Sequence, residues 1–199
     1  MKNEQLNQIK QEIIKLAKFI YTGKYVVATD GNISVRIDSQ TMLITKKNVC
    51  KGEIGLKDVI LVSLKSYQRY FSKLTPQPSS EYQMHQEIYK NRDDIKVVIH
   101  THPLYATLIG ITGIKLKVNL LAEIEKFIGP VGIVGYYEPG SVQLADAVAR
   151  KARECNSIIL KRHGVVVMGI DALEARYRLE RLERFAEILF LYNLVTNSK

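Results

Sequence analysis

The sequence predicts an α/β protein in the loose sense, or α+β-like, with a central, mainly antiparallel β-sheet flanked by helices in a single domain spanning residues 1–199. Three observations carry that reading. Segments of helical and of alternating periodicity are intermixed along the chain, which places both element types around one core. At 199 residues, 46% hydrophobic and 25% charged, the chain has the length and composition of one globular domain. No internal repeat, low-complexity tract or linker composition marks a second unit.

The elements follow in order. Leu6, Ile9, Ile13, Leu16 and Ile20 recur at helical spacing and stop at Gly23, a candidate C-terminal cap. Thr29-Asp30-Gly31-Asn32 is turn chemistry leading into alternating segments at 33–37 and 42–45, joined through Asp38-Ser39-Gln40 as a hairpin. Val59 to Leu64 reads as a strand, and the polar, Tyr-rich stretch 66–77 as a mobile loop. Ser79 or Ser80 starts a helix from about Glu81 to Asn91. Lys96 to His102 is a Val/Ile-rich strand, and Pro103 opens a short helix. A strand at 131–134, a helix at 142–150 after Pro139-Gly140-Ser141, and strands at 157–162 and 165–168 come next. Asp171 caps a terminal helix reaching about Leu194.

Bulk properties exclude several function classes. The net charge of +9 comes from scattered Lys and Arg, with no tract of five or more, so neither nucleic acid nor a membrane surface is an expected partner. A basic pocket for a phosphorylated metabolite stays compatible with that charge. No apolar run reaches the length of a membrane span, and 1–20 alternates charge with hydrophobe, unlike a secretory signal. Cys50 and Cys155 stand in no metal or redox spacing and read as reduced thiols of a cytoplasmic protein.

The chemistry concentrates at the histidines. His100 and His102 in Ile99-His100-Thr101-His102-Pro103 are two positions apart on a strand and share one face. His163 ends a second apolar segment and is followed by Gly164, which removes bulk beside it. A third imidazole arriving beside such a pair makes a three-nitrogen metal site with a position left open for chemistry. The bland alternative for each is a buried, hydrogen-bonded core histidine. Clustering at strand ends, together with Ser79-Ser80-Glu81 upstream, favours the metal site. His85, on a polar helix, reads as a solvated surface residue.

With these residues in place, the chain resembles the class II sugar-phosphate aldolase family, also called the aldolase/epimerase/adducin-head family, and within it the zinc-dependent L-fuculose-phosphate aldolases. The matched segments are Asp30-Gly31-Asn32-Ile33-Ser34-Val35-Arg36, Leu43-Ile44-Thr45, Pro78-Ser79-Ser80-Glu81, His100-Thr101-His102-Pro103, Pro139-Gly140-Ser141 and Arg162-His163-Gly164-Val165, in family order across nearly the whole chain. The resemblance implies a nine-stranded, mainly antiparallel sheet between helix layers and a homotetramer with active sites near subunit interfaces. It implies one Zn²⁺ per subunit on His100, His102 and His163, with Glu81 as catalytic acid/base that also coordinates the metal when substrate is absent. By the same route a phosphorylated sugar is the substrate, its phosphate held by Gly31, Asn32, Thr45, Ser79 and Ser80.

Two departures bear on substrate. Where the family has Pro-Thr-Gly after Leu43-Ile44-Thr45, this chain has Lys46-Lys47-Asn48, so Lys47 supplies charge to a phosphate and Asn48 takes the glycine's positive φ. A tyrosine that some family aldolases donate from a neighbouring subunit falls near Leu121, and the extra tail carrying another is missing after the last helix. Tyr136 and Tyr137 are candidate substitutes, with core packing expected of at least one. The implied reaction is reversible cleavage of a ketose 1-phosphate to dihydroxyacetone phosphate and a short aldehyde such as lactaldehyde. Pentulose-phosphate 4-epimerases, and methylthio- or deoxyribulose-phosphate aldolases or dehydratases, are the alternatives in the same family. The epimerases usually carry Asp where Glu81 stands and, like the dehydratases, tend to Ser where Pro103 stands. A non-enzymatic adducin-like module would lack the three histidines kept here.

Overall fold

The computed structural model describes residues 3–65 and 76–197. Along it run α1 (Asn3–Thr22), the strands β1 (Asn32–Arg36), β2 (Thr41–Thr45) and β3 (Val59–Ser63), then α2 (Tyr82–Asn91), β4 (Val97–Thr101) and α3 (Leu104–Thr112). They are followed by α4 (Ala122–Phe127), β5 (Val131–Val134), α5 (Val142–Ala152), β6 (Ser157–Leu160), β7 (Gly164–Gly169) and α6 (Ala172–Asn197). The expected loop at 66–77 lies, except for its last two residues, outside the described residues.

One sheet organises the molecule, in the order β3-β2-β1-β4-β7-β6-β5. Every neighbouring pair is antiparallel except β5 with β6. Alternation sends successive strand residues to opposite faces, and both faces are covered. Ile33, Val35, Val97, Ile99, Val165 and Val167 join one core with Ile13 and Ile20 of α1 and Leu179, Leu182 and Phe185 of α6. Met42, Ile44, Val98, Val166 and Met168 join the other with Met84 and Ile88 of α2 and Leu144 and Val148 of α5. The result is three layers, helix, sheet, helix. Among the described residues the sheet has seven strands rather than the nine that the resemblance implied. The segment after β5 contributes none, and Pro139 within it lacks the N–H a ladder needs.

Side-chain caps form at two helix starts but not at α2, which begins after Glu81 with no side-chain cap; the Ser79 hydroxyl expected to cap it accepts the Glu81 N–H at 3.3 Å, one turn position too early. The Ser141 hydroxyl accepts the Leu144 N–H at 3.1 Å, and an Asp171 carboxylate oxygen accepts that of Glu174 at 2.7 Å. At the end of α1, Lys24 rather than Gly23 takes the left-handed conformation, with φ 59°. The Tyr25 N–H reaches back to the Ile20 carbonyl and that of Lys24 to Tyr21, so the closing turn falls one residue later than the sequence suggests.

Candidate metal centre and adjoining cavity

β4 and the β6–β7 turn bring the three histidines together. His100 lies on β4 opposite Asn32 of β1 and Val166 of β7. His102 follows two positions later on the same face. His163 sits in the three-residue turn Lys161-Arg162-His163, where Arg162 is held at φ 60° and the His163 N–H closes onto the Leu160 carbonyl at 3.2 Å. Gly164 makes the approach possible: a Cβ there would stand 2.6 Å from His102 Cδ2. The imidazole rings come to centroid separations of 4.7–5.1 Å. One ligand atom from each lies within 4.8 Å of the other two.

The second nitrogen of two rings is occupied, which fixes which atom faces the centre. The His100 Nδ1–H donates to the Val165 carbonyl at 2.9 Å, leaving Nε2 inward. His102 Nδ1 stands 3.4 Å from Asp30 Oδ2, while its Nε2 is 3.0 Å from His100 Nε2. Glu81, at the start of α2, points its carboxylate into the same space, with Oε2 3.1 Å from His100 Nε2 and Oε1 3.5 Å from His163 Nε2. The Asn32 amide donates to Glu81 Oε2 at 2.9 Å.

Electrostatics prepare this set for a cation. Burial first, and the His100 charge second, push His102 and His163 down to about 4, so both rings are neutral and carry free lone pairs at physiological pH. Burial opposes charge on His100 too, yet the Glu81 carboxylate outweighs it and raises that ring. For Glu81, burial works against ionisation, but His100, His163 and the Asn32 amide together hold it well below the usual carboxylate range. Two buried polar atoms of the cluster, Glu81 Oε1 and His163 Nδ1, have no hydrogen-bond partner among the described residues. Two neutral imidazoles, a third ring turned inward through Nε2, an ionised carboxylate and an orphaned carboxylate oxygen fit a divalent metal ion.

A cavity of about 310 Å³ opens beside the histidines. Of the residues expected to meet a phosphate, Gly31, Asn32, Lys47, Asn48, Ser79 and Ser80 line it, together with Glu81, His102 and His163. Asn48 has φ 58°, the conformation for which glycine would otherwise serve. Thr45 is the exception. Its hydroxyl is fully buried and accepts the Ile33 N–H at 3.3 Å, and its carbonyl accepts the Ser79 N–H at 3.1 Å, so it shapes the wall from behind. Lys46 also borders the cavity, but its ammonium is drawn to Asp58 at 3.4 Å, leaving Lys47 as the outward cation. Gly31, at φ 71°, lets the chain pass beneath: a Cβ would stand 2.8 Å from the His100 carbonyl.

Several residues were missed or misread in the sequence. His85 is fully buried instead of solvated, because α2 turns it toward β1, where Asn32 and Ser34 bond both ring nitrogens. Asp30 backs His102; its place beside Gly31-Asn32 was the available signal. Lys51, only 1% exposed, donates to the Thr29 and Val49 carbonyls at 3.1 and 2.8 Å, tying together the two loops that wall the cavity. Neither Tyr136 nor Tyr137 joins the core; they are 47% and 37% exposed, lying in the segment that leaves the sheet after β5.

Comparison with known proteins identifies the family and the fold. The family model described as Class II Aldolase and Adducin N-terminal domain matches residues 11–190. The L-fuculose phosphate aldolase of Methanococcus maripaludis is 35% identical over 184 residues, covering 92% of this chain and 96% of the relative. The 3-oxo-tetronate 4-phosphate decarboxylase of Haemophilus influenzae is 27% identical over 185 residues, covering 91% of this chain and 86% of the relative. The solved L-fuculose-1-phosphate aldolase of Thermus thermophilus shares the fold, with a TM-score of 0.85 at 24% identity, covering 97% of this chain and 98% of that one. Over nearly its whole length, then, the chain belongs to the class II aldolase and adducin N-terminal domain family.

Proposed function

We propose that this chain is a metal-dependent aldolase that reversibly cleaves a ketose 1-phosphate of the L-fuculose 1-phosphate type into dihydroxyacetone phosphate and a short aldehyde such as lactaldehyde. The observation that carries the reading is the meeting of three imidazoles with Glu81 on the wall of a cavity that also presents Lys47, Ser79 and Ser80. Its volume of about 310 Å³ suits a small metabolite.

In this reading His100, His102 and His163 hold one Zn²⁺, a borderline ion suited to nitrogen donors. Bound there, the ion supplies Lewis-acid polarisation of the substrate carbonyl and stabilises the negative charge left when the carbon–carbon bond breaks. Lys47, the Asn48 backbone and the Ser79 and Ser80 hydroxyls bind the phosphate dianion and so fix the sugar's direction in the cavity. Glu81 moves the proton at the carbon that dihydroxyacetone phosphate contributes to the broken bond, adding it after cleavage and removing it before condensation. Leu104 and Ile111 on α3, and Leu191 and Val195 on α6, are large apolar side chains more than two-fifths exposed, which supports assembly into a homotetramer. No helix among the described residues is long and apolar enough to cross a membrane, in keeping with a cytoplasmic enzyme.

The decarboxylase-named relative favours one second reading: loss of CO₂, rather than of an aldehyde, from a 3-oxo acid phosphate at the same site. A substrate panel separates the two. Ketose 1-phosphates and 3-oxo-tetronate 4-phosphates are supplied to the metal-loaded protein, and dihydroxyacetone phosphate, CO₂ and 4-epimerised sugar are measured. Chelator-sensitive release of dihydroxyacetone phosphate is expected. Release of CO₂ with every ketose 1-phosphate untouched would replace the aldolase by the decarboxylase.

A further inference from the structure

We infer that His85 is a positioning residue for Glu81, acting through Asn32 at the end of a one-directional buried hydrogen-bond chain. The inference rests on the proposed role of Glu81 in proton transfer. It begins with two matched periodicities. Asn32, Ser34 and Arg36 alternate along β1 and share its face toward α2. Glu81, His85 and Tyr89 recur every fourth residue along the start and length of α2 and share its face toward β1. Four helical residues advance about 6 Å and two strand residues about 6.6 Å, so the two polar stripes stay in step.

They bond accordingly. The Asn32 amide stands 2.9 Å from Glu81 Oε2 through Nδ2 and 2.5 Å from His85 Nε2 through Oδ1. His85 Nδ1 is 2.7 Å from the Ser34 hydroxyl, which is 2.8 Å from that of Tyr89. None of these five residues is more than 7% exposed.

Donor accounting gives the chain its direction. An ionised carboxylate only accepts, so Asn32 must turn its NH₂ toward Glu81 and its carbonyl toward His85. His85 must then carry its hydrogen on Nε2, and Nδ1 accepts from Ser34. Beyond Ser34 the Tyr89 hydroxyl, with one hydrogen, faces the Ser34 hydroxyl at 2.8 Å and the Ser34 and Lys96 carbonyls at 3.0 and 3.1 Å, so the ordered part of the chain begins at Ser34. From Ser34 through His85 and Asn32 every proton points toward Glu81, and such chains reinforce one another in a dry interior. The carboxylate is thereby held by Oε2, and Oε1, which lacks a hydrogen bond among the described residues, is the oxygen left to exchange a proton with substrate. Packing α2 on β1 alone would not require an imidazole, since an apolar side chain of similar size fills such a space without burying two nitrogens.

A double-mutant cycle on kcat tests the inference. His85→Leu is expected to lower kcat about tenfold or more, since small misplacements at a reacting group are costly, with KM and metal content little changed. His85→Gln, which restores a donor toward Asn32, recovers much of the loss. In an Asn32→Ala background, His85→Leu then costs less than about twofold further. Full effects in both backgrounds, or an unaltered kcat, would overturn the inference. If His85→Leu fails to fold, nitrogen NMR of the wild-type ring decides. Neutral imidazole with hydrogen on Nε2 supports the chain, and hydrogen on Nδ1 overturns it. That spectrum reads out even if no ketose phosphate is cleaved, an outcome that strikes the proposed reaction instead.

Discussion

At the histidine cluster, each side chain has a job that chemistry can isolate. His163→Ala removes one of the three proposed nitrogen ligands, and metal affinity is expected to fall by about tenfold or more, read by titrating stripped protein with zinc. Glu81→Gln keeps shape and leaves the three imidazoles in place. One ion per chain should remain while turnover drops by about 100-fold or more, the cost of losing a positioned proton-transfer group. Unchanged turnover would remove Glu81 from the chemistry. The meeting of the three rings was readable in advance, because strand alternation forces His100 and His102 to one side and Gly164 clears space for the third ring. His85 was not readable. Its neighbours on α2 include Gln83, Gln86 and Glu87, and only β1, some fifty residues earlier in the chain, decides that it is buried.

Loops, hairpins and helices set the cavity around that cluster. The segment leading into β1 and the one following β2 are separate in sequence, and Lys51 joins them through two backbone carbonyls. Lys51→Met would leave those carbonyls unpaired, with an expected stability loss of about 1–3 kcal/mol in denaturant unfolding and a raised KM for phosphorylated substrate. An unaltered KM would show that the two walls hold their places without it. Most helices and strands follow the sequence closely because their periodicity and turn residues agree, although the expected caps at Gly23 and at Ser79 or Ser80 do not form. α4 was missed for a physical reason: it is six residues long and buries only Ile124, too little to leave a periodic signature. The cavity wall was legible as a set of residues, but not Thr45's placement, which depends on its hydroxyl bonding across to Ile33.

Taken together, the three layers bury a titratable group whose pH dependence is testable. His85 is pushed down to about 3 in the folded chain, by burial first and the His100 charge second, against an ordinary value of 6.5. Between those values the unfolded chain binds the extra proton. The contribution is therefore complete above 6.5 and is lost as pH falls toward 3. Urea midpoints of metal-stripped protein should decrease from about pH 7 to about pH 4.5, and His85→Leu should flatten part of that slope; an equal slope in both proteins would contradict the buried neutral ring. The layer order and the two-sided core were foreseeable from intermixed helices and strands, whereas the parallel β5–β6 edge was not, since pairing direction leaves little trace in strands of four residues. The most direct test is a zinc titration of stripped wild-type protein beside His100→Ala, with X-ray absorption of the loaded wild type. One ion per chain in a nitrogen-rich shell, lost in the variant, is the expected result. No stoichiometric binding, or equal binding by both proteins, would mean that the three imidazoles do not share a cation.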